Sequence, residues 1–92
     1  MKKMLIFFNK ECLFSQEMKL DAQEFVFENS SLDVSICDIE KDKDIANHFR
    51  VFGTPSILML SDNKPYCRII GIANKNTLFD FYHHECEHLN EL

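Results

Sequence analysis

At 92 residues the chain has room for one hydrophobic core, because folding at this size buries roughly 60–70% of the surface that the unfolded chain exposes. With 46% hydrophobic and 27% charged residues, two Gly and two Pro, its composition is neither that of a disordered segment nor collagen-like. A net charge of −5 and a pI near 5.2 argue against the basic stripe that a nucleic-acid groove requires.

In chain order, Met1-Lys2-Lys3 followed by Met4-Leu5-Ile6-Phe7-Phe8 imitates a secretory signal, but the apolar stretch is too short and meets Asn9, Lys10 and Glu11. Residues 4 to 8 are predicted instead as a strand buried on both faces. From Ser15 to about Asn29, Met18, Ala22, Phe25 and Val26 recur at helical spacing. Residues Asp33 to Ile39 read as a second strand, and a helix between two such strands implies a parallel crossover. Asp42 or Asp44 can cap a short helix with Ile45, Ala46 and Phe49 facing inward. Ser56 to Leu60 forms strand three. The turn Ser61-Asp62-Asn63-Lys64-Pro65 leads antiparallel into Tyr66 to Ile70, and Gly71 breaks that strand. Asn74 can cap a last helix with Leu78, Phe81 or Tyr82, and Leu89 along its apolar stripe. The expected order is βαβαββα in one domain spanning 1–92, an α/β fold.

No run approaches a membrane span, so no membrane association and a cytoplasmic location are expected. Thiols there stay mostly reduced, and the four cysteines, at 12, 37, 67 and 86, have neither disulfide-framework density nor paired zinc spacing. The chemistry-bearing segment is Glu11-Cys12-Leu13-Phe14-Ser15, a CxxS motif at the first strand-to-helix turn. Backbone N–H groups and the helix dipole stabilise a thiolate there, and the thiolate is the form that attacks disulfides. Ser15 stands where a resolving cysteine would release the product, so Cys12 can start an exchange that it cannot finish alone.

Cys12 between the first strand and helix, Gly53-Thr54-Pro55 before the third strand, Asp38-Ile39-Glu40 ending the second, Gly71 and Asn74 together resemble the thioredoxin-like superfamily over nearly the whole chain. The size resembles that of its shorter, glutaredoxin-like members, which lack the leading strand and helix of full-length thioredoxins. The resemblance implies a four-stranded mixed sheet flanked by three helices. It also implies a cis Thr54–Pro55 bond facing Cys12, with the Thr54 backbone free to pair with an extended substrate. Two departures are coherent. The family's buried aspartate, six residues before the cysteine, is Ile6, and its accompanying lysine is Ile36. Both serve release through an internal disulfide.

The resemblance thus implies a monothiol exchanger. Cys12 and Ser15 are its catalytic residues, Thr54, Pro55, Phe14 and Phe52 its substrate surface, and protein or peptide thiols and disulfides its partners. No cofactor is required, with glutathione as the co-substrate that releases Cys12. One alternative is a redox-inactive thioredoxin-fold module that binds a protein. A second is an iron–sulfur cluster bound with glutathione, as in monothiol glutaredoxins, against which stand Leu13 and the Gly71-Ile72 pair. Cys37 reads as a small core hydrophobe, whereas Cys67 can face core or solvent. The tail His83-His84-Glu85-Cys86-Glu87-His88 places His84 and His88 on one helical face, but two ligands are not four, and the expectation is no metal.

Overall fold

The computed structural model describes residues 1–11, 13–71 and 73–83, apart from the side chains of 13–15. Cys12, the side chains of Phe14 and Ser15, Ile72, His84, Cys86, His88 and Leu89 lie outside the described residues. The elements are β1 (Lys2–Phe8), α1 (Leu13–Glu28), β2 (Val34–Asp38), α2 (Lys43–His48), β3 (Ser56–Ser61), β4 (Lys64–Ile70) and α3 (Lys75–His83). The order βαβαββα is the expected one. The sheet runs β2-β1-β3-β4, with β1 and β2 parallel and the other two pairs antiparallel.

Strand β1 is the central plank because both of its faces are apolar. Met4, Ile6 and Phe8 point into a core closed by Met18, Ala22 and Phe25 of α1 and by Leu78, Phe81 and Tyr82 of α3. Leu5 and Phe7 point the other way, into a smaller core with Cys37, Ala46, Val51, Leu58 and Leu60. Phe7 and Phe8 are thus both core residues, as are both Phe81 and Tyr82. Leu20 and Phe27, by contrast, leave an apolar outer face on α1, 65% and 86% exposed. Two ion pairs, from Lys75 Nζ to Glu24 (2.9 Å) and Glu28 (3.4 Å), tie α3 to α1.

Three sequence expectations need correction. Ile45 was expected to face inward but is 40% exposed, because the six-residue α2 buries a single side chain, Ala46, and Val51 and Phe49 fill the remaining space. Asp42 occupies the N-cap of α2 without a side-chain capping bond; its carboxylate accepts the Asp38 N–H instead, at 2.9 Å. The hairpin turn is Asp62-Asn63 alone, not five residues. Both have positive φ (51° and 68°), as a two-residue turn of the I′ kind requires, so Ser61 pairs with Lys64. Pro65 then sits on the edge strand opposite Leu60, next to a register shift, the kind of position to which sheet prolines are confined. We expect Asn63→Val to cost about 1–2 kcal/mol, the penalty of a branched L-residue at positive φ, and Asn63→Gly to stay near wild type in urea denaturation. Equal midpoints for all three proteins would refute that turn geometry.

At the foot of the sheet, the Tyr82 hydroxyl donates to the Lys2 carbonyl (3.4 Å) and accepts the Asp33 N–H (3.3 Å), while Lys2 Nζ donates to the Tyr82 carbonyl (3.1 Å). Asn74 caps α3 as expected, its Oδ1 accepting the Thr77 N–H at 2.9 Å.

Candidate functional site

The carboxyl ends of β1 and β2 and the start of β3 gather the segments singled out in the sequence. After Phe8 the chain turns through Asn9, whose Oδ1 accepts the Glu11 N–H at 3.0 Å, and the Gln16 side-chain amide donates to the Lys10 carbonyl. These two bonds shape the loop that precedes position 12. Helix α1 starts at Leu13, so in the chain Cys12 falls between β1 and the first helical residue, and Ser15 lies in the first turn.

The Thr54–Pro55 peptide bond is cis. Phe7 pairs with Ser56, which brings this bond to the end of β1. Its surroundings are held by backbone. The Gly71 N–H donates to the Pro55 carbonyl at 2.9 Å and the Ser56 hydroxyl donates to the Gly53 carbonyl. Gly71 has φ +133°, a conformation that L side chains rarely adopt. Among the described residues no hydrogen bond reaches the Thr54 backbone. Phe52 is 77% exposed and Ile70 is 70% exposed, so apolar side chains lie open before and after the proline turn in the chain.

One residue in this region escaped the sequence reading. Arg68 of β4 donates from Nη2 to the Phe49 carbonyl (2.8 Å) and from Nη1 to the Arg50 carbonyl (3.1 Å). It braces the segment that leads from α2 to Phe52, where Arg50 itself has φ 57°. The available signal was a single arginine inside the apolar strand Tyr66-Cys67-Arg68-Ile69-Ile70.

Ile6 and Ile36 are direct cross-strand partners, Ile6 fully buried and Ile36 packed on the same core. The two positions where the resemblance would imply an acid and a lysine therefore meet as a hydrocarbon pair. Beyond β2, Asp38 Oδ1 accepts the Glu40 and Lys41 N–H groups at 2.8 and 3.3 Å. Those bonds, helped by the Lys41 and Lys10 charges, hold the Asp38 carboxyl below its ordinary range. A carboxyl lowered by folding stabilises above its unfolded pKa, about 3.9, and that contribution is lost as pH falls through the folded value. We expect Asp38→Asn to flatten the acid limb of the urea midpoint below about pH 4, an unchanged limb being the contrary result.

Cys37 is buried and free, and burial first, then the Asp42 charge, pushes its thiol pKa up, with Lys3 opposing. It is a core thiol. Cys67 is fully buried in the larger core. His83 makes ring contacts with Phe79 and Tyr82, and among the described residues no group of three or more His, Cys, Asp or Glu is arranged to hold a metal ion. No helix among them is long and apolar enough to cross a membrane.

No protein-family model matches the sequence, and no curated protein matches it. Solved structures do. A thioredoxin from Fasciola hepatica superposes with a TM-score of 0.77 at 18% identity, over 88% of this chain and 77% of that one. A mutant thioredoxin from Halobacterium salinarum gives 0.76 at 19% identity, over 99% and 76%. The mitochondrial thioredoxin 3 of Saccharomyces cerevisiae, in its oxidised form, gives 0.73 at 22% identity, over 88% and 76%. The chain has the thioredoxin fold. At these identities the likeness carries the fold alone.

Proposed function

We propose that the protein is a cytoplasmic monothiol exchanger of the thioredoxin-like superfamily, one domain whose Cys12 forms mixed disulfides with protein or glutathionylated substrates. The observation that carries this reading is the juxtaposition, at one end of the sheet, of the loop leading to Cys12 with the cis Thr54–Pro55 turn. In that reading the Cys12 thiolate attacks one sulfur of a glutathione–peptide disulfide. A new S–S bond to glutathione forms, the old one breaks, and the peptide leaves as a thiolate that takes a proton from solvent. A second glutathione thiolate then attacks the Cys12-bound glutathione, returning Cys12 and producing glutathione disulfide. Ser15 offers a hydrogen bond to the thiolate. The substrate chain lies along Thr54, whose backbone makes no hydrogen bond among the described residues, with the exposed Phe52 at its apolar rim.

The Ile6–Ile36 pair supports the absence of internal release, because it leaves no buried acid to move a proton to a resolving thiol. The same pair favours a second reading, a redox-inactive module that binds a protein through the Phe52 surface. Assays on a glutathionylated peptide separate the two. Wild type should deglutathionylate it at the expense of glutathione, Cys12→Ser should not, and Ser15→Cys should add reduction of protein disulfides. Failure of wild type and Ser15→Cys alike would leave the binding module.

A further inference from the structure

Three lysines converge on one cleft. Lys10 comes from the loop after β1, Lys19 from the second turn of α1, and Lys41 from the loop after β2, so folding brings them together and no run in the sequence does. The cleft has a volume of about 140 Å³, the scale of one phosphate or carboxylate group with a short stem. Phe8 and Ile36 give it apolar walls, which weaken solvent screening and strengthen the field of charges at the rim. It opens at the carboxyl ends of the parallel strands β1 and β2, the end at which open α/β sheets receive ligands.

The charges are unbalanced. In a protein of net charge −5, three lysines line the cleft with, among the described residues, a single carboxylate, Asp38, which is already engaged by the Glu40 and Lys41 N–H groups. Acidic partners are used elsewhere, since Lys75 is bridged by both Glu24 and Glu28. Among the described residues none of Lys10, Lys19 and Lys41 forms such a bridge. Gln16, in the same wall, bonds the Lys10 carbonyl and so fixes the loop that carries one of the three.

We propose that this cleft is a binding site for a small oxyanion, a phosphate or carboxylate group held by Lys10, Lys19 and Lys41. The proposal does not depend on thiol exchange at Cys12. Titrating isotope-labelled protein with inorganic phosphate and with succinate, at ionic strength held constant by sodium chloride, tests it by amide chemical shift. Saturable shifts at Phe8, Asp38 and Lys41 in the millimolar range are expected. The variant Lys10→Gln/Lys19→Gln/Lys41→Gln should weaken binding at least about tenfold, whereas Lys3→Gln/Lys64→Gln, changed outside the cleft, should not. If the triple variant does not fold, Lys19→Gln and Lys41→Gln singly should each weaken binding. Tighter binding of phosphate or of succinate identifies which oxyanion the cleft prefers. Shifts that grow linearly, that chloride reproduces, or that persist unchanged in the lysine variants would overturn the proposal.

Discussion

Ile6→Asp should destabilise the protein by about 3–5 kcal/mol at pH 7, the range for an uncompensated buried charge. Position 6 is fully buried in the centre of β1, between Ile36 and Ile57, and offers a carboxylate neither water nor a donor. Desolvation would raise the folded pKa of the new group above its unfolded value. The sign follows: the protonated form is the tolerated one, so the penalty is smallest below about pH 4 and grows as pH rises through the raised folded pKa. Urea midpoints of Ile6→Asp should therefore fall between pH 4 and 7. Adding Ile36→Lys on the neighbouring strand supplies a counter-charge at the cross-strand position and should restore part of the loss. An Ile6→Asp protein as stable as wild type at pH 7 would mean that water reaches this part of the core.

Removing the Arg68 guanidinium is the second large effect. Arg68→Met should cost about 1.5–3 kcal/mol, the range for a hydrogen bond to a charged donor. The figure is held down because Arg68 Nε is buried without an acceptor, a cost that the substitution removes. The local readout separates bracing from general destabilisation. Amide exchange should quicken first at Val51, whose N–H bonds the Ala46 carbonyl at 2.8 Å, and at Gly71, bonded to Pro55, ahead of β1 and β3. Arg68→Lys should not rescue, because one ammonium cannot span the Phe49 and Arg50 carbonyls as the fork does. Equal exchange at Val51 and Gly71 in wild type and Arg68→Met would deny the arginine this role.

Much of this architecture is legible in residue order because it is written in local terms. A five-residue apolar run bounded by polar residues is short for a helix and reads as a strand with two buried faces, and the α1 length between two strands implies the parallel β1–β2 pair. The Asn74 cap and the chain-break at Gly71 follow from single-residue chemistry. What was misread depends on partners far away in sequence. Ile45 looked like core because its neighbours are apolar, yet Val51 takes the space that it would fill. The five turn-forming residues of the hairpin concealed a two-residue turn, because pairing of Ser61 with Lys64 outweighs the turn preference of the flanking residues. Of the candidate site, the proline turn was readable, whereas Cys12 and the Ser15 side chain lie outside the described residues. Arg68 was not readable, since its role rests on carbonyls eighteen and nineteen residues earlier. The exposure of Phe52 likewise follows from how the segment leaves α2, not from its own apolarity.

Tyr82 joins the beginnings of two parallel strands to the end of the last helix through one phenol. With the Lys2 ammonium bonded back to the Tyr82 carbonyl, this residue pair closes a chain circuit of about eighty residues, at the pole opposite the proline turn. Under the proposed function, cohesion and recognition fall at different poles of the sheet. In that reading, a strand arriving beside Thr54 would displace none of the contacts that hold the circuit shut, and a partner would be received at one pole without loosening the other.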